Sequence, residues 1–372
     1  MNLVYLSGST IPSKQASSVH VMKMCAAFAK RGLEVYLTGL KSSKNKANSK
    51  DFHSLYNVAE SFSLRLYNPV FKGLLNHILY TLWIGKLLFS IKPQLVYGRY
   101  NWGVVISSVL RFNVIFEVHQ PPIKFHQRLF FKYIVSRKNF KNLVVISSAL
   151  ERELKNRFKI LNTKKIVVAH DSADAIDTEL KIREIKVIKK IGYAGSFNPG
   201  KGVEFILELA KLNPTKIFHL YGGVEDDIEA SEIPNNIFFH GHKDQKTLFT
   251  ELSGLDLLLA PYTNKVYGDS QNSDLSRWMS PLKIFEYMSL GKPMICSDLK
   301  VIREVLNNRI NAFLAEPENT SEWTNLINEL SNNLTLVNEV ASRAKKEQHN
   351  KYTWEKRSEL VLKETSYFFE ES

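Results

Sequence analysis

Short apolar runs alternate along the whole chain with longer stretches whose apolar positions recur every three or four residues. "NLVYLSG", "LEVYLTG", "PQLVYGR", "NVIFEVH" and "NLVVISS" read as buried strands. The segment after the first of them, "SSVHVMKMCAAFAKRG", reads as a helix burying Val21, Met24, Cys25, Phe28 and Ala29 and closing at Gly32. A second series opens at "KKIGYAGSFNPGKGVEFILELAKL" and continues through "KIFHLYGG", "NIFFHGH", "LDLLLAPY" and "PMICSD". Strand and helix alternating in this way build parallel βαβ units, so the pattern predicts an α/β protein with two Rossmann-like, doubly wound domains. Residues 1–175 form the first and 186–353 the second, joined by the polar stretch around "HDSADAIDTELKIREIKVIKK". The tail is helical by pattern, and residues 354–372 are expected to pack back on the first domain.

Two stretches disturb this regularity. "GLLNHILYTLWIGKLLFSI", Gly73 to Ile91, is long and apolar enough to span a bilayer, but Asn76, His77 and Lys86 interrupt it, which favours a buried or interfacial helix. "KFHQRLFFKYIVSRKNFKN", Lys124 to Asn142, sets Lys124, Arg128, Lys132 and Arg137 among apolar residues at near-helical spacing. That pattern suits either an ordinary solvated basic face or a helix lying on anionic lipid. Charge sharpens the contrast between the halves. Residues 1–190 hold 31 Lys and Arg against 11 Asp and Glu, whereas the remainder holds 19 against 26, within a total of +13. The basic half implies a polyanionic partner. Composition is that of a globular protein, with 44% apolar residues in 372. Cys25 and Cys296 give neither a disulfide framework nor metal-ligand spacing, and no signal-peptide pattern follows Met1, so a cytoplasmic location is expected.

Candidate chemistry concentrates in three places. In "SPLKIFEYMSLGKPMICSD", Ser280 is suited to cap a helix, Pro281 to occupy its first position, and Gly291 to end it. Amides from Ser280 to Leu282 would then face an anion. Lys283 in the first turn opposes the helix dipole unless an anion neutralises it, and Glu286, one turn on, could accept from the hydroxyls of a ribose. The plain alternative is a Lys–Glu surface pair. In "GYAGSFNPGKGVEF", Gly195 and Gly200 with Lys201 resemble a phosphate-binding turn. Gly202 stands where a magnesium-binding Ser or Thr would complete an ATPase loop. In "NVIFEVHQPP", His119 falls where an apolar strand stops, the usual ligand end of a parallel sheet, with Glu117 read as structural. His20 is read as a packing residue. His240 and His242 lack a third ligand, so no metal is expected. Asp269 and Asp274 lie in an irregular stretch able to touch substrate.

In order along the chain, "GSFNPGKG", "GHKDQKTLFTELSGLDLLLAPY", "SPLKIFEYMSLGKPMICSD" and "YTWEKR" resemble the family-4 retaining glycosyltransferases of the GT-B fold. The resemblance implies two domains facing a central cleft, with a nucleoside diphosphate sugar as donor substrate and no metal or other cofactor. It assigns Lys201 and Lys283 to the donor diphosphate, Glu286 to the ribose, and His119 to the donor sugar on domain closure. Gly195 and Ser196 lie in the phosphate turn, and Ser17 and Ser18 stand where the family's first-domain Gly-Gly turn lies. The family's earlier glutamate is Trp278 here, and the arginine that accompanies the phosphate lysine is Ser196. The implied reaction moves a sugar to an acceptor hydroxyl by a front-face route in envelope polysaccharide or glycolipid synthesis. The acceptor is expected to be a glycan; if the basic stretch from Lys124 lies on anionic lipid, it is a lipid-linked glycan and the enzyme is peripheral on the inner membrane face. Nucleic acid is not expected as a partner, since the aromatic residues form no stacking motif for it. A nucleotide-sugar epimerase of the same fold and a P-loop-like NTPase are the alternatives.

Overall fold

The computed structural model describes residues 1–42, 49–176, 184–228, 232–268 and 274–363. Asp269 and the last nine residues of the expected terminal helix lie outside them. The chain divides into two compact units, Met1–His170 with Trp354–Ser372, and Asp171–Thr353.

The first unit is built on a seven-stranded parallel sheet. Its strands are β1 (Asn2–Ile11), β2 (Glu34–Lys41), β3 (Ser63–Tyr67), β4 (Leu95–Gly98), β5 (Val114–Val118), β6 (Phe140–Val145) and β7 (Ile166–Val168), in spatial order β3-β2-β1-β4-β5-β6-β7. Both faces are covered, which is why β4 and β5 are buried from end to end and read as unbroken apolar runs. The connecting helices are α1 (Ala16–Lys30), α2 (Ser49–Leu55), α3 (Gly73–Ile91), α4 (Asn101–Val109), α5 (Phe125–Ser136) and α6 (Ser148–Arg157). In α1 the side chains of Val21, Met24, Cys25 and Phe28 are fully buried, while Ala29 sits at the margin.

The second unit carries a six-stranded parallel sheet. Its strands are β8 (Lys190–Ala194), β9 (Ile217–Tyr221), β10 (Ile237–Phe239), β11 (Leu257–Ala260), β12 (Met294–Ser297) and β13 (Phe313–Ala315), in order β10-β9-β8-β11-β12-β13. Helices α7 (Val203–Leu212), α8 (Gln245–Ser253), α9 (Leu282–Ser289), α10 (Thr320–Asn332) and α11 (Leu334–Lys351) complete it. Its core joins α7 and α10 through Phe205 and the fully buried Trp323, whose rings meet edge-on at 5.3 Å. The last helix, α12 (Trp354–Lys363), belongs to the first unit and packs against α1.

In both sheets the strand order reverses once, between β1 and β4 and between β8 and β11. Loops leaving the carboxyl ends of strands beside such a reversal diverge and leave room for a ligand.

Three expectations about elements need correction. The unit boundary lies at 170/171 rather than at 175, because the Asp171 amide donates to Ser280 Oγ (2.8 Å) and Ala173 pairs with Thr353, both tying these residues to the second unit. The helix begun at Lys124 ends at Ser136, and β6 starts at Phe140. Of the two readings of α3, buried or interfacial, the buried one does not hold, since only 28% of its most apolar 18 residues is buried.

Candidate functional site

The second unit brings the two predicted lysines to its point of strand reversal. Lys201 lies on the loop after β8, and Lys283 opens α9, which follows β11 through the segment containing Tyr262. Lys283 is buried, and its Nζ lies 3.8 Å above the centre of the fully buried Tyr193 ring and 5.2 Å from that of Tyr262. Lys201 Nζ lies 5.6 Å from the centre of the same Tyr262 ring. One tyrosine ring is thus flanked by two ammonium groups.

The Lys283 ammonium has no hydrogen-bond partner among the described residues. The surface-pair reading with Glu286 fails on that point, because a Lys–Glu pair at this spacing keeps its cation in water. A cation over an aromatic face gains on the order of 1–2 kcal/mol, whereas an unpaired buried charge loses several. The aromatic contacts therefore do not compensate, and the balance shows in the acidity. Burial, followed by the neighbouring Lys201 charge, pushes the Lys283 ammonium well below the ordinary lysine value of 10.5. An anion placed between the two lysines would remove the penalty.

The loop before α7 is shaped around this cation. A Cβ on Gly195 would come within 2.7 Å of Lys283 Nζ, so a larger residue there would displace the ammonium from its present place. Gly202 has φ +81°, and a Cβ there would meet the Pro261 carbonyl oxygen at 1.7 Å. No Ser or Thr can stand at that position, which removes the magnesium ligand that the NTPase reading requires. The Ser196 carbonyl accepts from Tyr193 Oη (2.8 Å) while its side chain is exposed, so positive charge here rests on the two lysines. Glu286 is half-buried one turn along α9, and its charge is felt by Lys283.

The start of α9 differs from expectation. Ser280 is not the cap, because its hydroxyl accepts the Asp171 amide, and the extended residue preceding the helix is Pro281. Pro281 has no N–H, so Leu282 and Lys283 carry the first-turn amides open to an anion. Gly291, at φ +64°, follows the last turn as predicted. Half-buried Trp278 has the Arg277 guanidinium 5.0 Å from its ring centre.

The first unit holds a different constellation. His119 follows β5 as expected, but both of its ring nitrogens are engaged. Its Nδ1 lies 3.0 Å from Arg99 Nη2, and its Nε2 lies 2.5 Å from Glu117 Oε1. A guanidinium only donates, so Nδ1 accepts and the ring is a neutral imidazole with its proton on Nε2. Glu117, read from the sequence as structural, is the hub of a buried network. Arg357 Nη2 reaches Oε1 at 3.0 Å, His20 Nε2 lies 3.1 Å from the same oxygen, and Tyr97 donates to Oε2. Burial alone would push the Glu117 carboxyl up, but the Arg357 charge, with His20 and His119, holds it well below the ordinary range.

Sequence reasoning missed His20, Arg99 and Arg357 as parts of this network. A lone carboxylate inside an apolar strand was the available signal, since a buried charge demands partners. Among the described residues, His20, Glu117 and His119 are the group whose ligand atoms lie close enough for a metal, within 4.8 Å of one another. Arg357 already supplies the cation that such an ion would bring. Ser18 contributes its hydroxyl to the turn before α1, donating to Ser13 O or Gln15 O, and its amide also bonds Gln15 O, so it offers a ligand neither. Ser17 lies beside it in the first turn of α1, half-buried. Beside His119 lies a cavity of about 860 Å³, lined in part by Arg99, Tyr100, Trp102, Lys124 and Phe130.

Comparison with known proteins adds to this geometry. Residues 188–333 match the family Glycosyl transferases group 1. That segment contains the whole lysine site of the second unit. The poly(ribitol-phosphate) alpha-N-acetylglucosaminyltransferase of Staphylococcus aureus strain COL is 25% identical over 240 residues, 60% of this chain and 44% of that protein. The chain thus spans less than half the length of this relative. Among solved structures, Anabaena HepE in complex with UDP and glucose superposes with a TM-score of 0.73 at 14% identity, over 99% of this chain and 100% of that one. TarM superposes with a TM-score of 0.71 at 13% identity, over 99% and 98%. The likeness establishes the fold, which is GT-B with two Rossmann-like units.

Two stability experiments follow. Lys283→Met removes a buried unpaired charge at similar volume and should raise the unfolding free energy of the ligand-free protein by about 1–3 kcal/mol in urea titration. The unfolded lysine binds a proton more readily than the folded one. Wild-type stability should therefore rise with pH towards 10.5, and this slope should be missing in the variant. Arg357→Met leaves the Glu117 carboxylate without its main partner and should destabilise the first unit by about 3–5 kcal/mol, much of which Glu117→Gln in the same chain should restore.

Proposed function

We propose that the protein is a retaining glycosyltransferase that moves a hexose-type sugar from a nucleoside diphosphate to a hydroxyl of an envelope glycan. One observation carries this reading: the buried, unpartnered Lys283 ammonium, which shares the Tyr262 ring with Lys201 inside the segment matching the glycosyltransferase family. A diphosphate is the anion that fits, being able to meet both lysines and the first-turn amides of α9 at once. Glu286, one helical turn away, is placed to accept from the ribose hydroxyls.

In the reaction the leaving diphosphate gains charge as the glycosidic bond breaks. Lys201, Lys283 and the Leu282 and Lys283 amides stabilise that charge better than the ground state, which is electrostatic catalysis without a metal. A departing phosphate oxygen takes the acceptor proton on the same face of the sugar, so configuration is retained. The S. aureus relative, whose name specifies an alpha-linked product, supports retention. HepE, solved with UDP and with UDP-glucose, supports a uridine donor. In the first unit, the cavity beside His119 is proposed to seat the acceptor, with Tyr100 and Trp102 offering ring faces to a sugar. His119 reaches substrate only when its Nδ1 releases Arg99, so in the ligand-free state it acts as part of the cavity wall. A cytoplasmic site of action, where nucleotide sugars are made, belongs to the same proposal.

Calorimetric titration with UDP and other nucleoside diphosphates tests the donor site. Lys283→Met and Glu286→Ala should each weaken binding by about 10- to 100-fold, the value of a charge-assisted contact of about 1.5–3 kcal/mol. Unchanged affinity in Glu286→Ala would remove its ribose role. Product analysis with an acceptor should show the donor's anomeric configuration in the new linkage, and turnover of the sugar without any acceptor would instead indicate an epimerase.

A further inference from the structure

The helix able to span a bilayer by composition lies instead on the surface of the first unit. Its 18-residue window has a mean hydropathy of 1.4, yet 28% of that window is buried. Leu74 is 63% exposed, Leu82 62% and Phe89 61%, and with Leu75 and Ile78 they form one stripe along α3. Val70 (72%) and Phe71 (50%) extend the stripe ahead of the helix. On α5, Phe125 is 77% exposed and Leu129 about half exposed, one turn apart on one face. Helix α4 packs against both α3 and α5, so the three lie side by side.

Such a surface exceeds the scattered apolar residues of an ordinary monomer and calls for an occupant. A membrane span is ruled out by connectivity: β3 and β4, which flank α3, are strands of one sheet, and the opposite face of α3 packs inward through Tyr80, Ile84 and Leu88. The charges on the face select among the remaining occupants. Between residues 61 and 150 the chain carries 12 Lys and Arg and a single acid, Glu117, which is fully enclosed. Lys72, Lys86, Lys92, Lys124, Arg128 and Lys132 are exposed among the apolar side chains. A two-fold contact with a second copy would set this cationic face against itself with no carboxylate to relieve it. Nucleic acid would engage at most Phe71, Phe89 and Phe125 by stacking and would leave the aliphatic Val70, Leu74, Leu75, Ile78 and Leu82 without an occupant. Apolar side chains interleaved with lysines and arginines do match a bilayer surface, where the former enter the acyl boundary and the latter meet lipid phosphates.

We propose that α3, α5 and the Val70–Phe71 turn dock this protein on an anionic bilayer, with α3 lying in the plane of the interface. Leu74, Lys124 and His126 are exposed on this face and also line the first-unit cavity. On the function proposed above, which this clause alone depends on, the cavity would therefore receive a glycan carried by a lipid. Docking itself needs no donor or acceptor.

The test is co-sedimentation of the full chain with vesicles of phosphatidylcholine alone and of phosphatidylcholine mixed with phosphatidylglycerol. Two multiple variants accompany it, I78S/L82S/F89S/F125S and K86E/R128E/K132E, each verified as folded by circular dichroism. The wild type should partition to the anionic vesicles at least about tenfold better than to neutral ones, less so as salt is raised, and each variant should lose about tenfold or more. Both variants should bind UDP as the wild type does, so a failure of docking leaves the donor site standing, and the converse. Equal partition to neutral vesicles, or charge reversal without effect, would overturn the proposal. So would a wild-type dimer that I78S/L82S/F89S/F125S converts to monomer while no vesicle binding is seen.

Discussion

A single uncompensated charge organises the second unit. The Lys283 ammonium is held in an enclosure of two tyrosine rings, with a second cation on the far ring and no hydrogen-bond acceptor among the described residues. Folding tolerates this because the rest of the unit overdetermines it. Lys283 is carried on a helix packed against α11, Tyr287 of the same helix accepts the Ala194 amide at 2.8 Å, and Gly195 leaves the space for Nζ. Local strain of this kind, upheld by sound packing around it, is what a binding site for a matching anion looks like before the anion arrives. The same enclosure that destabilises the ligand-free protein strengthens every interaction with a phosphate, since the low dielectric acts on both.

The first unit handles buried charge in the opposite way. Glu117 is as enclosed as Lys283, but four side chains from two helices, a strand and a loop satisfy it: His20 of α1, Arg357 of α12, Tyr97 of β4 and His119 after β5. The consequence is a rigid wall rather than a waiting site. His119 is held in one tautomer, and α12 is tied to the strand that carries Glu117 through Arg357, which also donates to the His170 and Ala169 carbonyls. A satisfied network gives geometry, and an unsatisfied group gives affinity. The two units display one of each.

Most of the architecture was readable along the chain because parallel strands buried on both faces are unmistakable apolar runs. The strands that escaped notice, β3, β7 and β13, are short or lie at sheet edges, where "SLRLY" or "IVV" carries too little pattern to stand out. At the lysine site the sequence identified the residue types and their helix, but it could not tell a surface Lys–Glu pair from a buried cation. That distinction lies in the approach of Tyr193 and Tyr262, which are distant in sequence. Ser280 misled for a related reason: a serine before Pro-Leu is a plausible cap until the Asp171 amide, over a hundred residues away, takes its hydroxyl. Arg357 was visible within "YTWEKR", yet only the fold reveals that it reaches Glu117.

If Lys283 awaits a diphosphate, the arrival of that anion must raise the affinity of its amine for a proton, and binding must be accompanied by proton uptake from the buffer. Calorimetric titration of UDP at mildly alkaline pH, in buffers of different ionisation enthalpy, counts those protons. The account predicts uptake of up to one proton per UDP by the wild type and markedly less by a variant in which Lys283 is replaced by arginine, whose charge does not titrate. Equal uptake by the two proteins, or tight binding of UDP with none, would contradict it.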